Sequence, residues 1–319
     1  MQPNGRNETE RTPLDQAARA GWMYYVGGMT QDQIATELGV SRQRAQRLVS
    51  RAMSEGLIHV RVDHPIAECM ELERALMQRF DLQLARVAPS AGAGVDPAHA
   101  IAPLAASVVE KVMDCADKQT IAVGTGRALR AMADEMRTMD GKHHQLVSLI
   151  GNISPDGTAS NYDVIMRIAD KVGAPYYPMP LPVFVESDHA RDLFYGLKQV
   201  QVVEQLAAHA DVTFVGVGQM DVTAPMMVDG FVDPEARNEL EAAGAVGEIA
   251  SWVYDENGAY IDSLHNRRIG GLRAGANPDG MVIGVAGGRA KYPAIKAALK
   301  GRLINGLVTD EHTARFILQ

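Results

Sequence analysis

The alternation of apolar strands with helical segments from residue 82 onwards constrains the fold more than any other feature. Short runs rich in valine, isoleucine and glycine recur there, separated by helical segments of ten or more residues. Continuous apolar strands joined by helices indicate a parallel sheet covered on both faces. In chain order the runs are LQLARVA, QTIAVGT, QLVSLIG, DVTFVGVG, MVIGVAGG and LINGLV. We therefore predict an α/β, Rossmann-like domain.

Glycine-rich turns follow several of these strands. Sheets of this kind bind ligands at the carboxyl ends of their strands. The predicted turn after IAV combines backbone N–H groups, a hydroxyl and a guanidinium, which can hold a phosphate or hydroxyl groups. This turn consists of Gly124, Thr125, Gly126 and Arg127, and similar strand ends hold Gly216 with Gly218, and Gly287, Gly288, Arg289 and Lys291. One such turn can be purely structural, but three on one sheet edge predict a shared pocket.

The motifs that identify nucleotide and metal sites are absent from the sequence. Neither GxGxxG nor GxxxxGK[ST] occurs, and no HExxH or His/Cys ligand spacing is found. Carboxylates near strand ends can accept hydrogen bonds from sugar hydroxyls, act as a base, or be solvated turn residues. They are Asp229, Glu248, Asp255 and Asp262, and the turn reading fits Asp255 in its DENG sequence. For Lys291 we favour anion binding over a Schiff base, and we expect no cofactor and no metal.

Residues 29–58 are typical of two short helices joined by a tight turn. Thr30 followed by Gln33 is a capping box that begins the first helix, and Gly39 ends that helix in a left-handed conformation. Ser41 caps the second helix, whose apolar residues recur at helical spacing. The pattern predicts a helix-turn-helix.

Segments on either side complete this small domain. A helix from about residue 14 to residue 26 is predicted to supply the third wall of its core, with Trp22 and Tyr25. Residues 57–62 alternate like a strand and are predicted to add a wing.

Positive charge collects on the second helix of the motif. Residues 41–61 hold five arginines and one glutamate, which leaves −12 for the rest of a chain of net charge −8. A solvated face is the usual explanation of such a run. Here, however, the face opposite the apolar stripe presents arginine and glutamine, which can each make two hydrogen bonds to a base edge. We predict DNA contacts from Thr30, Gln31, Arg42, Gln43, Arg44, Gln46, Arg47, Ser50 and Arg51. Arg42 and Arg51 lie towards the phosphates.

The length of 319 residues exceeds the usual single domain of about 100–200 residues. We predict a flexible tail over residues 1–13, the basic helical domain over 14–63 and the α/β domain over 64–319. The last begins with an amphipathic helix over 66–80, expected to pack internally or against another subunit. No run approaches the roughly 18–20 apolar residues of a membrane span, and the polar N-terminus lacks a signal core. We therefore expect a cytoplasmic protein without membrane contact.

Four stretches make the chain resemble the SorC-type bacterial transcriptional regulators, which respond to sugars or polyols. They are MTQDQIATELGVSRQRAQRLVSRAMSEGLI, VGTGRAL, AGAVGEIASWVYDENG and KYPAIKAALKGRLINGLVTDEHTA. The resemblance runs from about residue 14 to the C-terminus, and the last stretch is the most specific. It implies an N-terminal winged-type helix-turn-helix domain and a C-terminal effector and oligomerisation domain. The effector domain would resemble sugar-phosphate isomerases without their catalytic activity.

The resemblance also implies effector contacts, residue by residue. These fall on Gly124, Thr125, Gly126, Arg127, Asn152, Gly218, Asp229, Glu248 and Lys291. Ala128 stands where many relatives carry threonine, which removes a hydroxyl from the first loop. The effector can therefore be an unphosphorylated sugar or polyol as well as a phosphorylated one.

The partners implied by the resemblance are pseudo-palindromic operator DNA, a carbohydrate effector and further copies of the chain in a dimer or tetramer. The implied function is a regulator, expected to be a repressor, of a carbohydrate or polyol catabolic operon. The alternative is an isomerase-like enzyme with an appended helix-turn-helix, but we expect no catalytic residue.

Overall fold

The computed structural model describes residues 12–58, 66–92, 94–154, 157–158, 164–275 and 277–319. The chain divides into two compact units, Met1–His64 and Pro65–Gln319. Nearly all of the predicted tail and most of the predicted wing lie outside the described residues. Within the described ranges, no helix is both long and apolar enough to cross a bilayer.

The N-terminal unit contains three helices, and the predicted helix-turn-helix is confirmed. They are α1 Pro13–Tyr25, α2 Gln31–Leu38 and α3 Arg42–Ser54. The Thr30 N–H donates to Gln33 Oε1 at 2.8 Å, which closes the predicted capping box. Gly39 ends α2 at φ 64°, and Ser41 Oγ accepts from the Arg44 N–H at 3.3 Å. Local capping therefore defines both ends of the turn.

The core of this unit is closed by the small residues of α1. Ala17 and Ala20 are fully buried against α2 and α3. The predicted inward positions of Trp22 and Tyr25 are wrong, because their exposed fractions are 64% and 41%. The physical reason lies at Gly21, where an added Cβ would come within 2.8 Å of the Ala52 Cβ. The helices approach too closely for an aromatic ring to fit between them.

The C-terminal unit alternates strands and helices as predicted. Its strands are β1 Leu84–Ala88, β2 Thr120–Val123, β3 Gln145–Ile153, β4 Tyr176–Pro182, β5 Val212–Gly216, β6 Gly218–Gln219, β7 Gly247–Ile249, β8 Trp252–Tyr254, β9 Met281–Val285 and β10 Gly306–Asp310. Its helices are α4 Ala67–Phe80, α5 Pro97–Met113, α6 Arg127–Glu135, α7 Val164–Val172, α8 Asp188–Tyr195, α9 Lys198–Ala208, α10 Pro225–Val228, α11 Pro234–Ala242, α12 Leu264–Arg267, α13 Tyr292–Lys300 and α14 Glu311–Ile317. A 3-10 turn, Arg289–Lys291, precedes α13.

Seven strands form one parallel sheet in the order β1-β10-β9-β5-β2-β3-β4. Alternate residues of a strand enter two separate apolar clusters: Ala122 of β2 joins one, while Ile121 and Val123 join the other. Each face of the sheet is thus covered by its own core, which is why the strands are continuously apolar. The predicted α/β class is confirmed, and all six predicted strands are present.

The edge strand β4 escaped the sequence analysis. Its sequence, YYPMPLP, places prolines at alternate positions 178, 180 and 182. Along a strand, successive backbone N–H groups point alternately to the two sides. The three prolines are all even-numbered, so the N–H donors that they lack would all point to the free edge of the sheet. An odd-numbered N–H still reaches β3 where the strand ends: the Val183 N–H donates to the Ile153 oxygen at 2.9 Å. The antiparallel sheet β6-β7-β8 was also missed, since its strands are only two or three residues long.

Gly151→Ala tests the close approach of β3 and β4. A Cβ at Gly151 would collide with the backbone oxygens of Leu181 and Pro182, which cannot move without breaking the pairing. We expect a loss of about 1–3 kcal/mol in the free energy of unfolding, measured by urea denaturation. Gly124→Ala is the matched control, because its Cβ would have no neighbour nearer than 3.6 Å. Equal losses in the two variants would contradict this account.

Candidate functional site

The glycine-rich turns after β2, β5 and β9 open into one cavity. These three strands are neighbours in the sheet, so their carboxyl ends lie side by side. The space between them, which we call the strand-end cavity, has a volume of about 240 Å³. Gly126, Gly216 and Gly287 each contribute to its lining, one from each turn.

Most of the predicted effector residues meet at this cavity. Those that line it are Thr125, Gly126, Arg127, Gly218, Asp229, Glu248 and Lys291, together with Ala128. Gly124 does not, because it is buried behind the turn, where its N–H donates to the Phe214 oxygen at 2.8 Å. Asn152 does not either, because it lies on β3, on the far side of β2 from β5 and β9.

Glu248 reaches the cavity by an unexpected route. Sequence analysis put it near a strand end, but it lies within β7 of the small antiparallel sheet, opposite Gly218 of β6. A Cβ at position 218 would collide with Glu248 Oε1, so the Glu248 side chain can keep this position only beside a glycine. Glu248 Oε2 accepts a hydrogen bond from the Ser251 N–H at 2.8 Å. Burial raises the pKa of Glu248, although the Ser251 N–H and the Lys291 charge oppose the shift.

Lys291 closes the 3-10 turn that follows Gly288. The Lys291 N–H donates to the Gly288 oxygen at 3.0 Å, and Gly288 itself adopts φ 101°. Burial lowers the pKa of Lys291, while the charges of Glu248 and Asp96 act in the opposite direction. Glu248 and Lys291 are therefore both held where charge is disfavoured.

A second cation and a second carboxylate face each other at this cavity. Arg127 begins α6, and its guanidinium lies 3.8 Å from Asp229 Oδ1. Half of the Arg127 side chain and about a quarter of that of Asp229 remain exposed. Such a partly solvated pair is weak, so either group can turn to a ligand at little cost.

Sequence reasoning missed two features of the cavity. Gln219 lines it, and its Oε1 atom is buried without a hydrogen-bond partner among the described residues. A buried acceptor without a donor is costly, so a ligand hydroxyl at this point is favoured. The only signal was its position, one residue after Gly218.

The second missed feature is the turn between β7 and β8. Ala250 and Ser251 adopt φ 51° and 67°, the two left-handed positions of a hairpin turn that normally favours glycine or asparagine. Non-glycine residues pay about 1–3 kcal/mol each for such a conformation. Both residues line the strand-end cavity. Two hydrogen bonds stabilise this strained turn. The Ser251 N–H donates to Glu248 Oε2, and His265 Nε2 donates to the Ser251 oxygen at 3.0 Å.

Donors and acceptors around the cavity are balanced. Arg127, Lys291 and the turn N–H groups can donate, and Glu248, Asp229 and Gln219 can accept. This set is suited to a small polyhydroxyl compound, with or without an anionic group. Among the described residues, no group of three or more His, Cys, Asp or Glu side chains is placed to hold a metal ion.

The N-terminal unit presents a separate polar surface on α3. The predicted base-reading and phosphate residues of this helix are all exposed. Arg42 pairs with Asp32 at 3.4 Å and Arg51 with Glu55 at 3.2 Å. Within the described ranges, the side chains of Gln43, Gln46, Arg47 and Ser50 have no hydrogen-bond or ionic partner. The Arg44 guanidinium donates to Gln16 Oε1 at 3.3 Å, Gln31 is half-buried, and the Thr30 hydroxyl is used in the α2 cap.

Comparison with known proteins identifies the family. Residues 64–319 match a sugar-binding domain family, and residues 22–55 match region 4 of sigma-70 factors. The chain is 32% identical over 303 residues to the erythritol catabolism regulatory protein EryD of Brucella abortus, covering 95% of this chain and 96% of EryD. The chain belongs to the SorC family of transcriptional regulators.

Two further regulators are similar to this chain over nearly its whole length. The transcriptional regulator LsrR of Klebsiella pneumoniae is 30% identical over 308 residues, which covers 94% of this chain and 92% of LsrR. The crystal structure of the full-length sorbitol operon regulator SorC from Klebsiella pneumoniae superposes with a TM-score of 0.70 at 26% identity, covering 96% of this chain and 99% of SorC. This SorC-family chain is therefore a transcriptional regulator with a helix-turn-helix and a sugar-binding domain.

Glu248→Gln tests the electrostatics of the strand-end cavity. Because the pKa of Glu248 is raised above its ordinary 4.5, the ionised carboxylate lowers the stability of the folded state. That loss grows as pH rises from 4.5 through the raised folded pKa. Glutamine imitates the protonated acid and does not titrate.

Without ligand, we expect the Tm of Glu248→Gln to match wild type at about pH 4 and to exceed it at about pH 7.5. Exposed Glu256 supplies the control, Glu256→Gln, which should follow wild type at both pH values. A difference between Glu248→Gln and wild type that does not grow with pH would refute the assignment.

Proposed function

We propose that this SorC-family regulator is a repressor of a polyol or carbohydrate catabolic operon, released from its operator by a small effector in the strand-end cavity. The observation that carries the proposal is the convergence of Glu248, Lys291 and Gln219 Oε1 on the cavity at three strand ends. Both charged side chains are half-buried, and the Gln219 oxygen has no hydrogen-bond partner among the described residues. Each of these groups is unfavourable in the empty cavity and favourable when a polyhydroxyl ligand satisfies it.

The volume of the strand-end cavity limits the size of the effector. A volume of about 240 Å³ lies below the usual 300–1,000 Å³ of pockets for drug-sized ligands. A four- or five-carbon polyol or its phosphate is of suitable size. The similarity to a regulator of erythritol catabolism leads us to propose erythritol, or an erythritol phosphate, as the first compound to test.

We propose that the domain binds without catalysis. The charges of Glu248 and Asp96 oppose the lowering of the Lys291 pKa by burial, which favours an ammonium group that donates hydrogen bonds to a ligand over a neutral amine that forms a Schiff base. The compared relatives are transcriptional regulators, which also favours this function over an isomerase with an appended helix-turn-helix. Turnover assays with sugar phosphates test the alternative.

We propose that α3 reads the operator and that the protein acts as a homo-oligomer, a dimer or a tetramer, in the cytoplasm. The side chains of Gln43, Gln46 and Arg47 have no partner among the described residues and can contact base edges. One helix-turn-helix makes few base contacts, so symmetric pairing over half-sites about one helical turn apart, or a multiple of that, is expected.

Arg47→Ala and Arg51→Ala separate base reading from phosphate binding. If Arg47 contacts a guanine, its loss should cost about 1–3 kcal/mol on the specific operator and flatten the sequence preference. Arg51→Ala should weaken all DNA sequences about equally and lower the salt dependence. Gel shift against an operator obtained by in vitro selection, and against scrambled DNA, measures both. Wild-type binding in both variants would exclude α3 as the reader.

Lys291→Ala and Thr125→Ala test the effector cavity. Both variants should keep operator binding and lose release by the effector, since they change the cavity and leave α3 intact. Loss of the ammonium charge should weaken an erythritol phosphate more than neutral erythritol, because only the phosphate forms a charge-assisted bond there. Thermal shift and gel shift with each compound give the measurement.

Lys118→Ala, at an exposed lysine, is the control and should respond like wild type. If both cavity variants bind the effector with native affinity and release DNA normally, the effector binds elsewhere.

A further inference from the structure

The last residue of β10, Asp310, lies buried beside the turn that leads to Lys291. Strand β10 is the neighbour of β9 in the sheet, so its carboxyl end lies next to the turn that follows β9. Asp310 is 7% exposed and does not line the strand-end cavity. Within the described ranges no cation forms an ion pair with it. A buried carboxylate without a cation needs hydrogen-bond donors from its surroundings.

Three donors meet the Asp310 carboxylate. Its Oδ1 atom accepts from the Thr313 N–H at 3.0 Å, which caps α14. Its Oδ2 atom accepts from the Thr313 hydroxyl at 2.6 Å and from the Gly288 N–H at 3.2 Å. The Gly288 N–H also reaches Thr313 Oγ1 at 2.9 Å. A helix cap needs only the first of these bonds, so capping does not account for the contacts to Gly288.

Gly288 connects this pair of side chains to Lys291. It adopts φ 101°, a conformation that residues with a side chain rarely adopt. Its N–H is held by Asp310 and Thr313, and its oxygen accepts from the Lys291 N–H at 3.0 Å. Two successive hydrogen bonds therefore lead from the buried Asp310 carboxylate to the backbone of Lys291.

Helix α14 also holds the residue that follows Lys291. The Tyr292 ring stacks on Phe316 of α14, with centroids 4.3 Å apart and planes at 25°. The turn is thus held before Lys291 at Gly288 and after it at Tyr292. A lysine side chain is flexible, so its ammonium group keeps a defined place only if the backbone that carries it is fixed.

We propose that Asp310 and Thr313 are positioning residues of the effector site: through Gly288 they fix the turn that presents the Lys291 ammonium group to the strand-end cavity. Neither residue lines the cavity, so both act through Lys291 and not on the effector. The support is mutual, because the turn supplies a donor that the buried carboxylate needs. The proposal rests on the proposed function in that Lys291 contacts the effector.

Hydrogen exchange of the ligand-free full chain tests the link to Lys291 without an effector. Asp310→Asn keeps the cap of α14, because asparagine caps helices as well as aspartate does, but its amide NH2 then faces the Gly288 N–H. Thr313→Val removes the hydroxyl oxygen that accepts from the same N–H. In both variants the Lys291 N–H should exchange at least about ten-fold faster, as expected when a hydrogen bond to a charged group is lost.

Three controls accompany the exchange experiment. The Gly124 N–H, which donates to the Phe214 oxygen, should keep its wild-type rate and so exclude global unfolding. Thr313→Ser retains the hydroxyl and should restore protection at Lys291. Asp233→Asn is the matched variant, since Asp233 caps α11 through the Ala236 N–H at 2.8 Å and lies outside the strand-end cavity. Wild-type exchange at Lys291 in both Asp310→Asn and Thr313→Val would overturn the proposal.

A double-mutant cycle with erythritol tests whether the fixed turn acts through the Lys291 side chain. Asp310→Asn should weaken erythritol binding about ten-fold when Lys291 is present, and less than about two-fold in the Lys291→Ala background, where the positioned group is missing. Isothermal titration calorimetry of the four proteins gives the affinities. Equal losses in the two backgrounds would indicate a general structural role and would also overturn the proposal.

The two measurements separate this proposal from the proposed function. A wild-type chain that binds neither erythritol nor an erythritol phosphate rejects the proposed effector, and the exchange rate at Lys291 then decides on Asp310 and Thr313 alone. Erythritol binding by the wild-type chain, together with unchanged exchange in the variants, rejects the positioning role and leaves the strand-end cavity standing.

Discussion

The parallel pairing of β2 and β9 on either side of β5 is the constraint on which the strand-end cavity depends. Val123 of β2 pairs with Phe214 of β5, and Gly216 of β5 pairs with Val285 of β9. This register ends the three strands at neighbouring points on one edge, so their glycine turns open into a single space. A shift by one residue would turn the apolar side chains of a strand to the opposite face. The two cores, one on each face, therefore hold the register that makes the cavity.

The charged groups of the strand-end cavity lower the stability of the ligand-free protein. Glu248 and Lys291 both have pKa values displaced towards their neutral forms by burial, and the Ala250–Ser251 turn is strained. Natural proteins commonly concentrate such costs at functional sites. A ligand that satisfies these groups stabilises the native state by mass action. The arrangement is suited to a domain that must differ measurably between its empty and occupied states.

Local patterns were sufficient for much of the fold. Thr30, Gln33 and Gly39 predicted the ends of α2 because caps depend on a few adjacent residues. The apolar runs predicted six strands because a sheet covered on both faces needs continuously apolar sequence. Strand β4 was missed because alternate prolines are acceptable only on an edge, and a strand's place in the sheet is a property of the whole fold. Trp22 and Tyr25 were misplaced because the closeness of α1 to α3 is likewise invisible in either helix alone.

The sequence by itself determined that the chain has a helix-turn-helix followed by an α/β domain, and that Gly126, Arg127 and Lys291 lie in turns at strand ends. These features follow from spacing and side-chain type over a few residues. Only the tertiary structure decided which turns meet. It excluded Gly124 and Asn152 from the strand-end cavity, added Gln219, and placed the predicted Glu248 on the small antiparallel sheet. Strand order and sheet packing join residues far apart in the chain, and no local pattern encodes which distant segments become neighbours.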